Sequence, residues 1–186
     1  MTDRIWTISN GISISRVLLL APLAYCLFGS FEHHRLWAAA VIVLATCTDF
    51  LDGFLARRLH QVSETGKIVD PLSDKIAIGM LALFLVVLGD VPAWYVVAVL
   101  VRDALILVGG IYIRKRKKIV TQSNWPGKFA VSAIALYLLF STMMLDSLEM
   151  VRMYSLWLSV ALMAFSLVIY TQRLFIGRQV PKGQAR

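Results

Sequence analysis

Four aspartates, Asp49, Asp52, Asp70 and Asp74, stand close together in a chain that is 59% hydrophobic and only 16% charged. They fall in two short patterns, Asp49-x-x-Asp52-Gly53-x-x-Ala56-Arg57 and Gly66-x-x-x-Asp70-x-x-x-Asp74. A charged side chain inside a membrane segment costs about 2.5–3.5 kcal/mol on insertion scales, so four acids at the margins of apolar segments call for a positive partner. Helix positions three or four apart share a face, which makes Asp49 with Asp52, and Asp70 with Asp74, two carboxylate pairs. If one segment enters the membrane boundary as the next leaves it, the pairs meet at one depth. Four oxygen donors suit a hard cation such as Mg2+ or Mn2+, and their number suits two ions. No histidine or thiol belongs to the cluster, which argues against zinc.

The neighbours sharpen that chemistry. Gly53 and Ala56 are small residues on the same segment as the acids, leaving room for a ligand to approach the backbone, and Gly66 relaxes the loop that follows. Arg57 offers a two-pronged fork for phosphate. Acids, cations and an arginine beside a small-residue cleft describe a pyrophosphate site, and a two-metal centre can hold both the attacking and the leaving oxygen of a phosphoryl displacement.

These residues need elements to position them. Apolar usage well above the 45–50% of soluble domains makes this 186-residue chain an integral membrane protein. About 20 apolar residues cross a bilayer, and six such runs are predicted at 12–31, 36–57, 70–89, 92–113, 128–146 and 150–173. The expected fold is all-α: six transmembrane helices in one bundle, a single domain over 1–186. Residues 1–11 form a short interfacial segment anchored by Trp6, 12–173 the bundle, and 174–186 a basic cytoplasmic tail. The first ten residues carry an acid and the first apolar run is long enough to span, so no signal peptide is expected.

Lys and Arg positions set the orientation. Arg4, Arg57, Lys67, the run Arg114-Lys115-Arg116-Lys117-Lys118 and Lys128 gather on one side, and only Arg35 and Arg152 fall on the other. This predicts a multi-pass protein of the inner (cell) membrane with the aspartates at the cytoplasmic face. The net charge of +8 is then mostly a topological signal with some attraction to anionic lipid, and nucleic acid is excluded because no basic patch sits on a soluble fold. Cys26 and Cys47 read as packing residues inside helices. The outer connection Glu32-His33-His34-Arg35 reads as a solvated turn. A cation conduit would also use intramembrane acids but has no need of Arg57 beside them, and in a helical scaffold the four acids would be a pure cost.

The run TDFLDGFLARRLHQVSETGKIVDPLSDK, residues 48–75, resembles the signature of the CDP-alcohol phosphotransferases, membrane enzymes that displace CMP from a CDP-linked alcohol. Every signature position matches, and the six-helix layout agrees over nearly the full length. The resemblance implies that Asp49, Asp52 and Asp70 are ligands of two divalent ions, Mg2+ or Mn2+, and that Asp74 is a further ligand and the general base. It implies that Gly53, Ala56, Arg57, Ser63 and Gly66 contact the CDP moiety, together with Asn10 and Ser13 of Asn10-x-x-Ser13-x-x-Arg16. It also implies a homodimer; Gly109 and Gly110 suit close helix contact, within one chain or between two.

The acceptor is read from residues outside the signature. Asp70-Pro71-Leu72-Ser73-Asp74-Lys75, Arg102-Asp103 and Pro126-Gly127-Lys128 look like the forms found in phosphatidylglycerophosphate and CMP-forming cardiolipin synthases. Arg102 near mid-membrane is either a clamp for an acceptor phosphate, with Lys128, or half of a structural ion pair with Asp103 or another buried acid. The expected reaction takes CDP-diacylglycerol from the lipid bilayer and glycerol 3-phosphate as acceptor. Phosphatidylglycerol, giving cardiolipin, and an inositol phosphate are the alternatives.

Overall fold

A computed structural model describes the backbone over residues 8–58, 66–117 and 125–176, and side chains over 18–48, 75–110 and 125–172. Among these residues the regular structure is entirely helical: α1 Ile8–Phe28, α2 His34–Arg58, α3 Gly66–Val87, α4 Ala93–Lys117, α5 Trp125–Met143 and α6 Glu149–Ile176, with a 3-10 turn at Asp146–Leu148 before α6. The helices overrun the predicted apolar runs, because the backbone hydrogen-bond ladder is indifferent to side-chain polarity once a helix is under way. Thus α1 begins at Ile8, inside the predicted interfacial segment, α3 begins at Gly66 rather than Asp70, and α4 continues through Lys117. Pro22 is accommodated within α1.

Among the described residues, three stretches are long and apolar enough to cross a membrane: Ala93–Gly110, Trp125–Met143 and Asp146–Gln172. The apolar stretches found among the described residues of α1, α2 and α3 are shorter: Leu18–Phe28, His34–Thr48 and Lys75–Val87. Large apolar side chains such as Leu100, Leu107, Val108, Trp157 and Phe165 are exposed along α4 and α6. Surface of that kind belongs against lipid, so the chain is a membrane protein.

The chain divides into two compact units, residues 1–92 with 138–152, and residues 93–137 with 153–186. In the first, α1 packs against both α2 and α3, burying Leu23, Leu27, Ala38, Ala39, Leu81 and Leu85. The connection from α1 to α2 is only residues 29–33, so the chain doubles back and α2 ends where α1 starts. At the opposite end, α3 closes on Gly89. Its φ of 81° is a left-handed conformation that costs glycine little, and Gly89 N–H bonds Val86 O at 3.0 Å while Asp90 N–H bonds Leu85 O at 2.9 Å, capping the helix carbonyls.

That turn delivers Asp90 to Arg35. The expected solvated turn at 32–35 is corrected here: Arg35 belongs to α2 and its guanidinium donates to the Asp90 carboxylate, the two side chains being 19% and 3% exposed. His34 is also engaged, with Nδ1 at 3.0 Å from the Cys26 carbonyl, whereas Glu32 and His33 are exposed. Removing one partner of such a pair leaves a charge with little water around it, at a cost of about 3 kcal/mol. Asp90→Ala should therefore lower the detergent melting temperature, and the double variant Arg35→Ala/Asp90→Ala should recover part of the loss; equal melting of wild type and Asp90→Ala would contradict this.

In the second unit α4 and α6 run parallel in a fixed register. Tyr95 and Ser159 hydroxyls meet at 2.7 Å, and seven residues further along both helices Arg102 meets Ser166. Two turns beyond, a Cβ on Gly110 would lie 2.9 Å from the Tyr170 hydroxyl. Gly110 thus lies against the Tyr170 hydroxyl of α6. Tyr137 of α5 completes the group, its ring edge-on to Tyr95 at 4.7 Å between centroids.

Candidate active site

The backbone fixes where the aspartates sit. Asp49 and Asp52 lie on the closing turns of α2, and Asp70 and Asp74 on the opening turns of α3. Because α3 already starts at Gly66, Asp70 and Asp74 belong to one uninterrupted helix, and each pair occupies neighbouring positions on its helix face. At a rise of about 1.5 Å per residue, the first pair is about 9–13 Å from the end of α2 and the second about 6–12 Å from the start of α3. The seven residues 59–65 join those ends, so both pairs lie toward the joined ends of α2 and α3. The side chains of 49–74 lie outside the described residues.

The other predicted contact positions gather at that end. Gly53, Ala56 and Arg57 continue α2 below the acids, Gly66 opens α3, and Asn10 and Ser13 lie in the first turns of α1, which packs on both helices. Topology thus brings three helix termini together. Ser63 lies outside the described residues, as do the side chains of the other positions named here.

Arg102 and Lys128 belong to the second unit. Arg102 is buried at 5% exposure, with Nη1 donating to Asp103 Oδ1 at 2.8 Å. The ion pair weighed from the sequence is therefore present. Its Nε and Nη2 both donate to Ser166 Oγ, at 3.4 and 3.1 Å, and Nη2 lies 3.7 Å from where a Cβ on Gly127 would stand. The opening turn of α5 thus runs beside the guanidinium. Lys128 is exposed, its ammonium over the Trp125 ring at 5.6 Å. Sequence reasoning missed Ser166; the signal was a row of serines, 155, 159 and 166, spaced by four and seven on one face of an apolar helix.

A family model of the CDP-alcohol phosphatidyltransferases matches residues 6–168, a span that includes every candidate site residue. The chain belongs to the CDP-alcohol phosphatidyltransferase family. Among its relatives are a Mycobacterium tuberculosis protein named "Probable phosphatidylglycerophosphate synthase", 33% identical over 138 residues that make up 72% of this chain and 65% of that one. An Aquifex aeolicus CDP-diacylglycerol–glycerol-3-phosphate 3-phosphatidyltransferase is 34% identical over 71% of this chain and 73% of its own. A Streptomyces coelicolor cardiolipin synthase (CMP-forming) is 35% identical over 69% of this chain and 61% of its own. The chain spans a little under two thirds of the length of the mycobacterial relative.

Within a CDP-alcohol phosphatidyltransferase, the donor set at the α2–α3 end fits divalent ions. The four aspartate positions on these two helix ends carry hard oxygen donors, the ligand type that divalent ions such as Mg2+ and Mn2+ take. Among the described residues alone, no group of three or more His, Cys, Asp or Glu could hold a metal. The aspartates at 49–74 are the candidates.

Proposed function

We propose that this chain is a phosphatidyltransferase of phospholipid biosynthesis, moving the phosphatidyl group of CDP-diacylglycerol to the hydroxyl of glycerol 3-phosphate and releasing CMP. One observation carries the reading: every signature position from Asp49 to Asp74 that the backbone describes falls on the closing turns of α2 or the opening turns of α3, at the end where α1 begins. The names of the mycobacterial and Aquifex relatives support glycerol 3-phosphate as acceptor.

In this proposal Asp49, Asp52, Asp70 and Asp74 hold two divalent ions, which neutralise the pyrophosphate and its leaving group. Asn10, Ser13, Gly53, Ala56, Arg57, Ser63 and Gly66 hold the CDP moiety, with small residues admitting the nucleotide and Arg57 forking a phosphate oxygen pair. Asp74 takes the proton from the acceptor hydroxyl. The acceptor oxygen then bonds to the phosphatidyl phosphorus as the bond from that phosphorus to the CMP oxygen breaks. Positioning and charge neutralisation supply most of the rate gain.

Arg102 and Lys128 take the acceptor phosphate. Support comes from the buried guanidinium beside the opening turn of α5, since helix N-termini and arginine both favour phosphate. The remaining proposals are architectural: all six helices span the cell (inner) membrane, the aspartate end faces the cytoplasm with the Lys- and Arg-rich segments, and the enzyme is a homodimer, as the family resemblance implies.

The test is product identity. Purified protein in detergent, given CDP-diacylglycerol and Mg2+ with glycerol 3-phosphate, phosphatidylglycerol or an inositol phosphate, should form phosphatidylglycerophosphate. Cardiolipin as the main lipid product would move the acceptor to phosphatidylglycerol, the activity named for the Streptomyces relative.

A further inference from the structure

The serine row of α6 contains two different jobs. Ser159 bonds the Tyr95 hydroxyl and its own Leu156 carbonyl, a contact of two neutral groups. Ser166 is bonded to a cation. A serine hydroxyl has one donor and two acceptor lone pairs, and at Ser166 all three are used: Oγ donates to Met163 O at 2.9 Å and accepts from both Nε and Nη2 of Arg102. The bond to Met163 fixes the hydroxyl rotor, so its lone pairs face α4. One edge of the guanidinium is thereby saturated.

Asp103 takes a further N–H, from Nη1. Three of the five donors that a guanidinium carries are then engaged, and the two others, one on each Nη, have no partner among the described residues. They sit on a side chain with almost no water around it, on the group whose Nη2 reaches the opening turn of α5 at Gly127. A neutral hydroxyl holds the fork in place without adding a second negative charge to that of Asp103.

From this geometry we propose that Ser166 is a positioning residue for the acceptor: by clamping the Nε–Nη2 edge of Arg102 it aims the remaining donors at the phosphate of a small phosphomonoester alcohol. The inference rests on the reading of Arg102 as the acceptor-phosphate residue given above.

Steady-state kinetics of the full chain in detergent test it, varying glycerol 3-phosphate and CDP-diacylglycerol separately. With both bonds from Ser166 gone and the fork loosened by the equivalent of one charge-assisted hydrogen bond to the phosphate, Ser166→Ala should raise KM for glycerol 3-phosphate about tenfold, with KM for CDP-diacylglycerol unchanged and kcat altered far less. Ser166→Thr, which keeps the hydroxyl, should restore the wild-type KM. Ser166→Cys fills the same space with a weak acceptor, and should behave as Ser166→Ala does even if the alanine variant folds poorly. Ser159→Ala is the structural comparison: it should lower the melting temperature and leave both KM values alone. If Arg102→Ala raises KM for glycerol 3-phosphate but Ser166→Ala and Ser166→Cys do not, the positioning role is overturned and the acceptor assignment stands. If Arg102→Ala also leaves that KM unchanged, the acceptor assignment itself fails and takes this inference with it.

Discussion

Asp74→Asn should reduce CMP release by at least about a thousandfold while leaving the protein folded and still able to bind divalent ions. The size follows from the loss of the general base. A positioned general base contributes about 10²–10⁴ in rate, and an amide cannot take the proton from the acceptor hydroxyl at any accessible pH. The amide oxygen can still face a cation, so metal binding falls much less than turnover. Asp74 lies on the same helix as Asp70, one turn further from the opening at Gly66, and the substitution changes neither helix length nor side-chain volume. CMP release under saturating substrates, beside Mn2+ binding followed by electron paramagnetic resonance, separates the two effects. Turnover within about tenfold of wild type would take Asp74 out of the base role.

Removing the divalent ions should have an effect of similar size. In the proposed reaction the donor pyrophosphate would bring two negative charges to four aspartates, an arrangement that would repel its own substrate unless cations intervene. A chelator should therefore bring CMP release to background, and Mg2+ or Mn2+ should restore it. Zn2+ should restore little, because no histidine or thiol belongs to the donor set. Titration should give two Mn2+ per chain, reduced in Asp70→Asn. Activity that persists through exhaustive chelation would contradict the assignment of these acids.

The sequence was most informative where chemistry and helical period coincide. Asp49 with Asp52, and Asp70 with Asp74, could be paired on helix faces because spacings of three and four have meaning on a helix before any tertiary structure is known, and the six helices could be read because each contains an apolar run. Helix ends were less visible. Gly66 and Lys67 lie outside the apolar run of α3, and Arg114 to Lys117 outside that of α4, yet both stretches are helical because local hydrogen bonding continues past the last apolar residue. The Arg35–Asp90 pair was hidden for a different reason: its partners are far apart in sequence and meet only because two connections share one end of the α1–α3 unit. Ser166 lay between these cases. Its place in a serine row was visible, but the partner that gives it meaning, Arg102, emerges only from the parallel register of α4 and α6.

The most direct test of the central claim, that the aspartates of α2 and α3 form a metal-dependent phosphatidyl-transfer centre, is CMP release by the purified protein from CDP-diacylglycerol labelled in the cytidine. Release should require the divalent ion and glycerol 3-phosphate together, and Asp74→Asn should show none above background. Absence of CMP with glycerol 3-phosphate, phosphatidylglycerol and an inositol phosphate alike, with Mg2+ or Mn2+ present and the protein folded, would contradict it.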